Sequence, residues 1–137
     1  VTGPADVPDD VLARLRAICL RLPAVQEQPA WIGVRWRVRT RTFAHVLVTD
    51  GVRPAVHVRA AGLTGPACLL VFRAAGVELD VLGRTGPPFF RPRWGDDVVG
   101  MVLGPDVDWE EVRELLTESY CVRAPRKLVA RVDRPEG

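Results

Sequence analysis

The order of apolar patterns along this 137-residue chain predicts an α+β fold: an antiparallel meander sheet of four to five strands, with an N-terminal helix, a short middle helix and C-terminal helices packed against it. Three observations carry that expectation. Apolar residues recur at helical spacing near both ends, residues 34–41 alternate strictly between apolar or polar and basic side chains, and turn signals such as Asp50-Gly51 separate short runs of β-branched residues. With 47% hydrophobic and 26% charged residues, the composition is that of one folded domain over 1–137, with short flexible ends expected near 1–5 and 133–137.

The elements follow in order. Asp6 is positioned to cap a first helix with Pro8 in its first turn, and Val11, Leu12, Leu15, Ile18, Cys19 and Leu22 form its apolar stripe until Pro23 stops it. A loop holding Pro29 and Trp31 leads to the alternating strand 34–41, which places Val34, Trp36 and Val38 on one face and Arg35, Arg37, Arg39 and Arg41 on the other. Phe43–Val48 and Pro54–Ala60 read as the next two strands. In the second of these Val56 and Val58 face inward, with His57 and Arg59 outward beside the arginines. His45 turns outward or inward according to the length of the connection, which the pattern leaves open.

Further along, Pro66–Ala75 is apolar, rich in alanine and closed by Gly76, as a short helix would be. Val77–Leu82 alternates as a fourth strand, Gly83–Gly95 reads as a long loop, and Val98–Leu103 as the last strand. Asp108 and Glu111 resemble a capping box at the start of a long helix with Trp109, Val112, Leu115, Leu116 and Tyr120 on its apolar side. Pro125 starts a final short helix with Leu128, Val129 and Val132 inward. Trp31, Trp36 and Trp109 are all assigned to the core.

The inventory for catalysis is thin: one Ser (Ser119), one Lys (Lys127), one Tyr (Tyr120), two His and no Asn. Ser119 lacks a nucleophile elbow and reads as a helix-surface or helix-end residue. No phosphate loop or dinucleotide fingerprint occurs, and His45 with His57 and a cysteine supplies too few ligands for a metal. No catalytic residue, cofactor or metal is therefore assigned. Cys19, Cys68 and Cys121 form no C-x-x-C pair and read as reduced, buried thiols. No apolar run approaches the roughly 18 residues of a membrane span, and the start is acidic where a signal peptide would be basic, so a cytoplasmic protein is expected.

Charge is more informative. Residues 31–93 hold ten arginines against Asp50, Glu78 and Asp80, a net +7, while the remainder is net −5. Arg35, Arg37, Arg39, Arg41, His57 and Arg59 are the candidate nucleic-acid-binding set, because same-face residues on a strand are spaced at about 6.5–7 Å, close to the phosphate repeat. The competing reading is an edge strand kept soluble by charge. A second candidate site is the loop Phe89, Phe90, Arg91, Arg93 and Trp94, whose rings and guanidinium groups suit a planar or anionic small ligand or a protein partner.

The residues also resemble a family. Leu15-Arg16-Ala17-Ile18-Cys19-Leu20-Arg21-Leu22-Pro23, Trp31, Trp36 through Ala44, Asp108-Trp109, Ser119-Tyr120 and Ala124-Pro125-Arg126-Lys127 are together similar to the MmcQ/YjbR family of small bacterial proteins. The resemblance spans about residues 12–132 and implies a meander sheet backed by helices, like CyaY-type and secretion-chaperone folds, with a "double wing" mode of DNA binding. It also implies an accessory role in antibiotic gene clusters for some members. This chain departs from the family pattern at Thr40, where members commonly have Gly at a turn, and at Asp96-Asp97, where two carboxylates would repel phosphate.

Overall fold

The structure is a computed structural model that describes residues 7–93 and 95–132. Its order of elements is α1 (Asp9–Cys19), β1 (Val25–Pro29), β2 (Val34–Val38), β3 (Arg41–Thr49), α2 (Ala55–Ala61), β4 (Ala67–Arg73), α3 (Gly76–Thr85), β5 (Phe89–Phe90), β6 (Val98–Val102), α4 (Trp109–Arg123) and α5 (Arg126–Val129). The strands form one antiparallel sheet in the order β1-β2-β3-β4-β6-β5. The α+β class is as expected, with six strands rather than four or five. No helix among the described residues is long and apolar enough to cross a membrane.

The ends of the chain follow local rules. α1 starts behind Pro8, with Asp9 and Asp10 at its positive end, and buries Leu12, Leu15 and Cys19. Asp6 lies outside the described residues. α4 is capped by the Asp108 carboxylate, which accepts from the Glu110 and Glu111 amides, and it buries Val112, Leu115, Leu116 and Tyr120.

Between them, five expectations change, the first being the long loop expected over Gly83–Gly95: its first three residues belong to α3, and Phe89–Phe90 form β5 against β6. β1 forms from Val25-Gln26-Glu27-Gln28-Pro29, which has little strand signal of its own, because β2 offers it a ladder from Val25↔Val38 to Pro29↔Val34. Pro54–Ala60 is not a strand: the Asp50 carboxylate accepts from the amides of Val52 and Arg53, each at 2.8 Å, and turns the chain into α2, which Gly62 closes at φ 66°. Val56 and Val58, two apart, therefore cannot share the core; Val56 is exposed and His57 is buried instead.

The middle helix expected over 66–75 is strand β4, an unbroken apolar run because it lies inside the sheet with both faces covered. Leu70 and Phe72 pack in one core cluster, Leu69 and Val71 in the other. Val77–Leu82, expected as a strand, belongs to helix α3. It turns Leu79 and Leu82 inward, three apart, and leaves Val77 and Val81 exposed.

The two clusters define two faces. On the first, α1 and α4 cover Trp36, Val46, Phe72 and Met101. Trp36 is fully buried and donates from Nε1 to Glu27 Oε1 at 3.0 Å, and Glu27 in turn pairs with Arg16. Tyr120 packs edge-on to Phe43 at 5.4 Å and donates to the Pro23 carbonyl at 2.6 Å. Ser119 is fully buried rather than at a helix surface: its hydroxyl donates to the Phe43 carbonyl at 2.5 Å and accepts from the Arg73 amide at 2.8 Å, where the β3–β4 ladder ends. Trp109 is half-buried beneath the Arg14 guanidinium. On the second face α2 covers only one end, over Leu69, Val71, Phe90 and Val98.

Candidate nucleic-acid interface on the second sheet face

The uncovered part of the second face is formed by β1, β2 and β3, and the arginines of β2 lie on it. Arg35 pairs across the ladder with His45 and Arg37 with Thr42. Both arginines are half-buried and donate to the Gln28 side-chain oxygen, at 3.2 and 2.8 Å. Their Nε groups are buried without a partner. β2 runs between β1 and β3, so these arginines are not guarding an edge; β1 is the edge strand.

The expected row of four does not hold. Val38 pairs directly with Arg41, which leaves Arg39-Thr40 as a two-residue turn. The positive φ of that turn, 58°, falls on Arg39, so Thr40 is spared the conformation a β-branched residue disfavours. Beyond the turn the alternation restarts with opposite parity: Arg41 shares Val38's face and its guanidinium donates to the Arg123 carbonyl at the end of α4. His57 is buried in α2 against the Phe90 ring, 6.2 Å away, and is no surface group. Arg59 is exposed, but from a helix rather than a strand.

The second predicted set also divides. Phe89 is buried in the first cluster and Phe90 in the second, so neither ring is offered to a ligand. Trp94 lies outside the described residues. Arg91 and Arg93 line a groove of about 1030 Å³ together with Arg59 from α2 and with Asp96. A smaller depression of about 260 Å³ on the open sheet face is lined by Trp31, Arg35, Thr42, His45 and Arg73. Arg73 lines this depression but not the larger groove, and its guanidinium lies near Gly95, which does line the groove. The assignment of 66–75 to a helix hid Arg73; the apolar run ending in a single arginine was its only signal.

The electrostatics of the face are simple. Asp97 is held by Arg73 at 3.0 Å and by Arg123 at 3.7 Å, so one of the two repelling carboxylates is already neutralised. Burial pushes the pKa of His45 below its ordinary value, an effect opposed by its bond to the Ile32 carbonyl and reinforced by Arg35. Burial, and then His45, lower that of His57. Both imidazoles are thus neutral near pH 7, and the positive charge of the face is carried by arginine. Among the described residues no three His, Cys, Asp or Glu side chains gather as a metal ion would need.

A sequence model of the YjbR family matches residues 20–122, three quarters of the chain and all six strands. The chain belongs to the YjbR family. No curated protein matches it. The YjbR match ends just short of the C-terminus of α4, so the family frame contains the whole basic face, whereas α5, with Arg126 and Lys127, lies beyond it.

Proposed function

We propose that this YjbR-family protein is a non-enzymatic binding module of the bacterial cytoplasm that holds DNA weakly, through its phosphates and with little sequence preference. The observation that carries the reading is the gathering of arginines from β2, β4, α2 and the 91–93 loop around two recesses on the second sheet face. Guanidinium groups engage phosphate oxygens in pairs, and half-buried ones do so with less loss of side-chain freedom. The acidic first turn and exposed glutamates of α4 belong to the opposite face, which suits one-sided attraction of a polyanion.

Fluorescence anisotropy with a short duplex is the direct test. Affinity should fall by more than about tenfold between about 50 and 200 mM salt. An Arg35→Gln, Arg37→Gln double variant should flatten that slope by about one unit per lost phosphate contact. Replacing Arg126, Lys127 and Arg131 should change it less, and equal slopes for the Arg35/Arg37 variant and the parent would end the reading.

The groove between α2 and the 91–96 loop favours a second reading, a small anionic or planar ligand held by Arg59, Arg91 and Arg93. Salt separates the two, because a ligand seated in a recess resists screening that a duplex contact does not.

A further inference from the structure

We propose that Trp31 is a stacking platform for an unpaired base, so that the nucleic acid this face prefers is single-stranded. The inference rests on the reading of the basic face given above and names the form of its ligand. Trp31 is 93% exposed, the most exposed of the large apolar side chains among the described residues. It stands in the four-residue loop between β1 and β2, bounded by the Pro29↔Val34 pair.

That loop is tied down on both sides of Trp31. The Ala30 amide donates to the Gly33 carbonyl at 3.0 Å, and His45 Nε2 donates to the Ile32 carbonyl at 2.5 Å. Ile32 packs into the second cluster. Gly33 takes φ +78°, and a Cβ there would come within 1.9 Å of the Val46 carbonyl oxygen, so the chain lies directly on β3 at that point. The fold thus fixes both neighbours of Trp31 and leaves the ring itself in water.

Trp31 lines the depression together with Arg35, Thr42 and Arg73; the Nε of Arg35 is buried without a partner, and Arg73 reaches the depression while paired with Asp97. An aromatic ring beside guanidinium groups is the arrangement that grips single strands: bases stack on the ring while phosphates meet the arginines. A duplex keeps its bases stacked on each other, and its backbone could use only the arginines.

The test compares three probes in anisotropy or competition at low salt: a labelled oligothymidylate of about 15 nucleotides, a duplex of the same length, and inorganic polyphosphate. Trp31→Ala should weaken oligothymidylate binding by about fivefold or more and leave duplex and polyphosphate binding within about twofold; Trp31→Phe should restore most of the loss. The parent's tryptophan emission should be quenched by the oligothymidylate and much less so in Trp31→Ala. A parent that binds duplex as tightly as single strand, or a Trp31→Ala variant that weakens all three probes alike, overturns the stacking role while leaving the basic face standing. Binding to none of the three overturns both.

Discussion

Trp31 and Trp36 are five residues apart, and the structure gives them opposite fates: one is 93% exposed, the other fully buried. Trp36 lies in β2 with its side chain on the face covered by α1 and α4, its indole N–H spent on Glu27. Trp31 lies in the loop before that strand, where no alternation assigns it a side, and its neighbours Ile32 and Gly33 take the inward positions. An aromatic residue reports on the core only where a ladder tells it which way to point; in a loop its destination depends on which neighbour the sheet can accept.

The contrast is broken most directly by truncating both rings. Trp36→Ala should lose about 3–5 kcal/mol in urea denaturation, because its cavity opens under two helices. A loss under about 1 kcal/mol would remove Trp36 from the load of the core. Next come the two devices that join sheet, helix and loop. Ser119→Ala strands the Phe43 carbonyl and the Arg73 amide away from water and should cost about 1–3 kcal/mol, measured in the same way. Gly33→Ala should cost a similar amount, about 1–3 kcal/mol, and should move Trp31's emission, since the loop must lift off β3.

A smaller effect is expected from pH. The pKa of His45 is lowered from its ordinary 6.5 by burial, and that of His57 likewise. As pH falls below 6.5, the unfolded chain takes up these protons before the folded one does. Stability is therefore full above that value and declines as pH falls toward the folded-state values, which denaturation midpoints at successive pH values would show. His45→Gln should flatten part of this decline; an unchanged profile would place the effect on His57 or elsewhere. Smallest of all is Trp31→Ala, which should change stability by less than about 0.5 kcal/mol while altering single-strand binding. A larger loss would show that the ring packs against the fold and would erase the contrast with Trp36.

Legibility varied along the chain for reasons that can be stated residue by residue. α1, β2, β3, β6, α4 and α5 were readable because each repeats its apolar residues over enough positions, or carries a cap such as Asp108, to distinguish one period from another. Residues 54–85 misled three times in succession. Val56-His57-Val58 and Val77-Glu78-Leu79 alternate over windows too short to tell period 2 from 3.6, and the run 67–73 is apolar on both sides because its strand is covered on both. Of the site, Arg35, Arg37, Arg59, Arg91 and Arg93 were visible as residues, but in two separate sets; the grouping of Arg59 with Arg91 and Arg93 was not visible, nor was Arg73 beside Arg35.

Local pattern is enough for the α+β class, the helices at both ends, the hairpin of β2 and β3, and the concentration of positive charge between residues 31 and 93. These follow from local periodicity, capping and composition, which act over a few residues. Long-range packing sets the rest: that β1 becomes a strand because β2 pairs with it, that Arg41 leaves the arginine row at a two-residue turn, and that Trp31 faces water. Such outcomes depend on ladder register and on which surfaces the helices cover. Both arise from contacts between segments far apart in the chain, where no local pattern reaches.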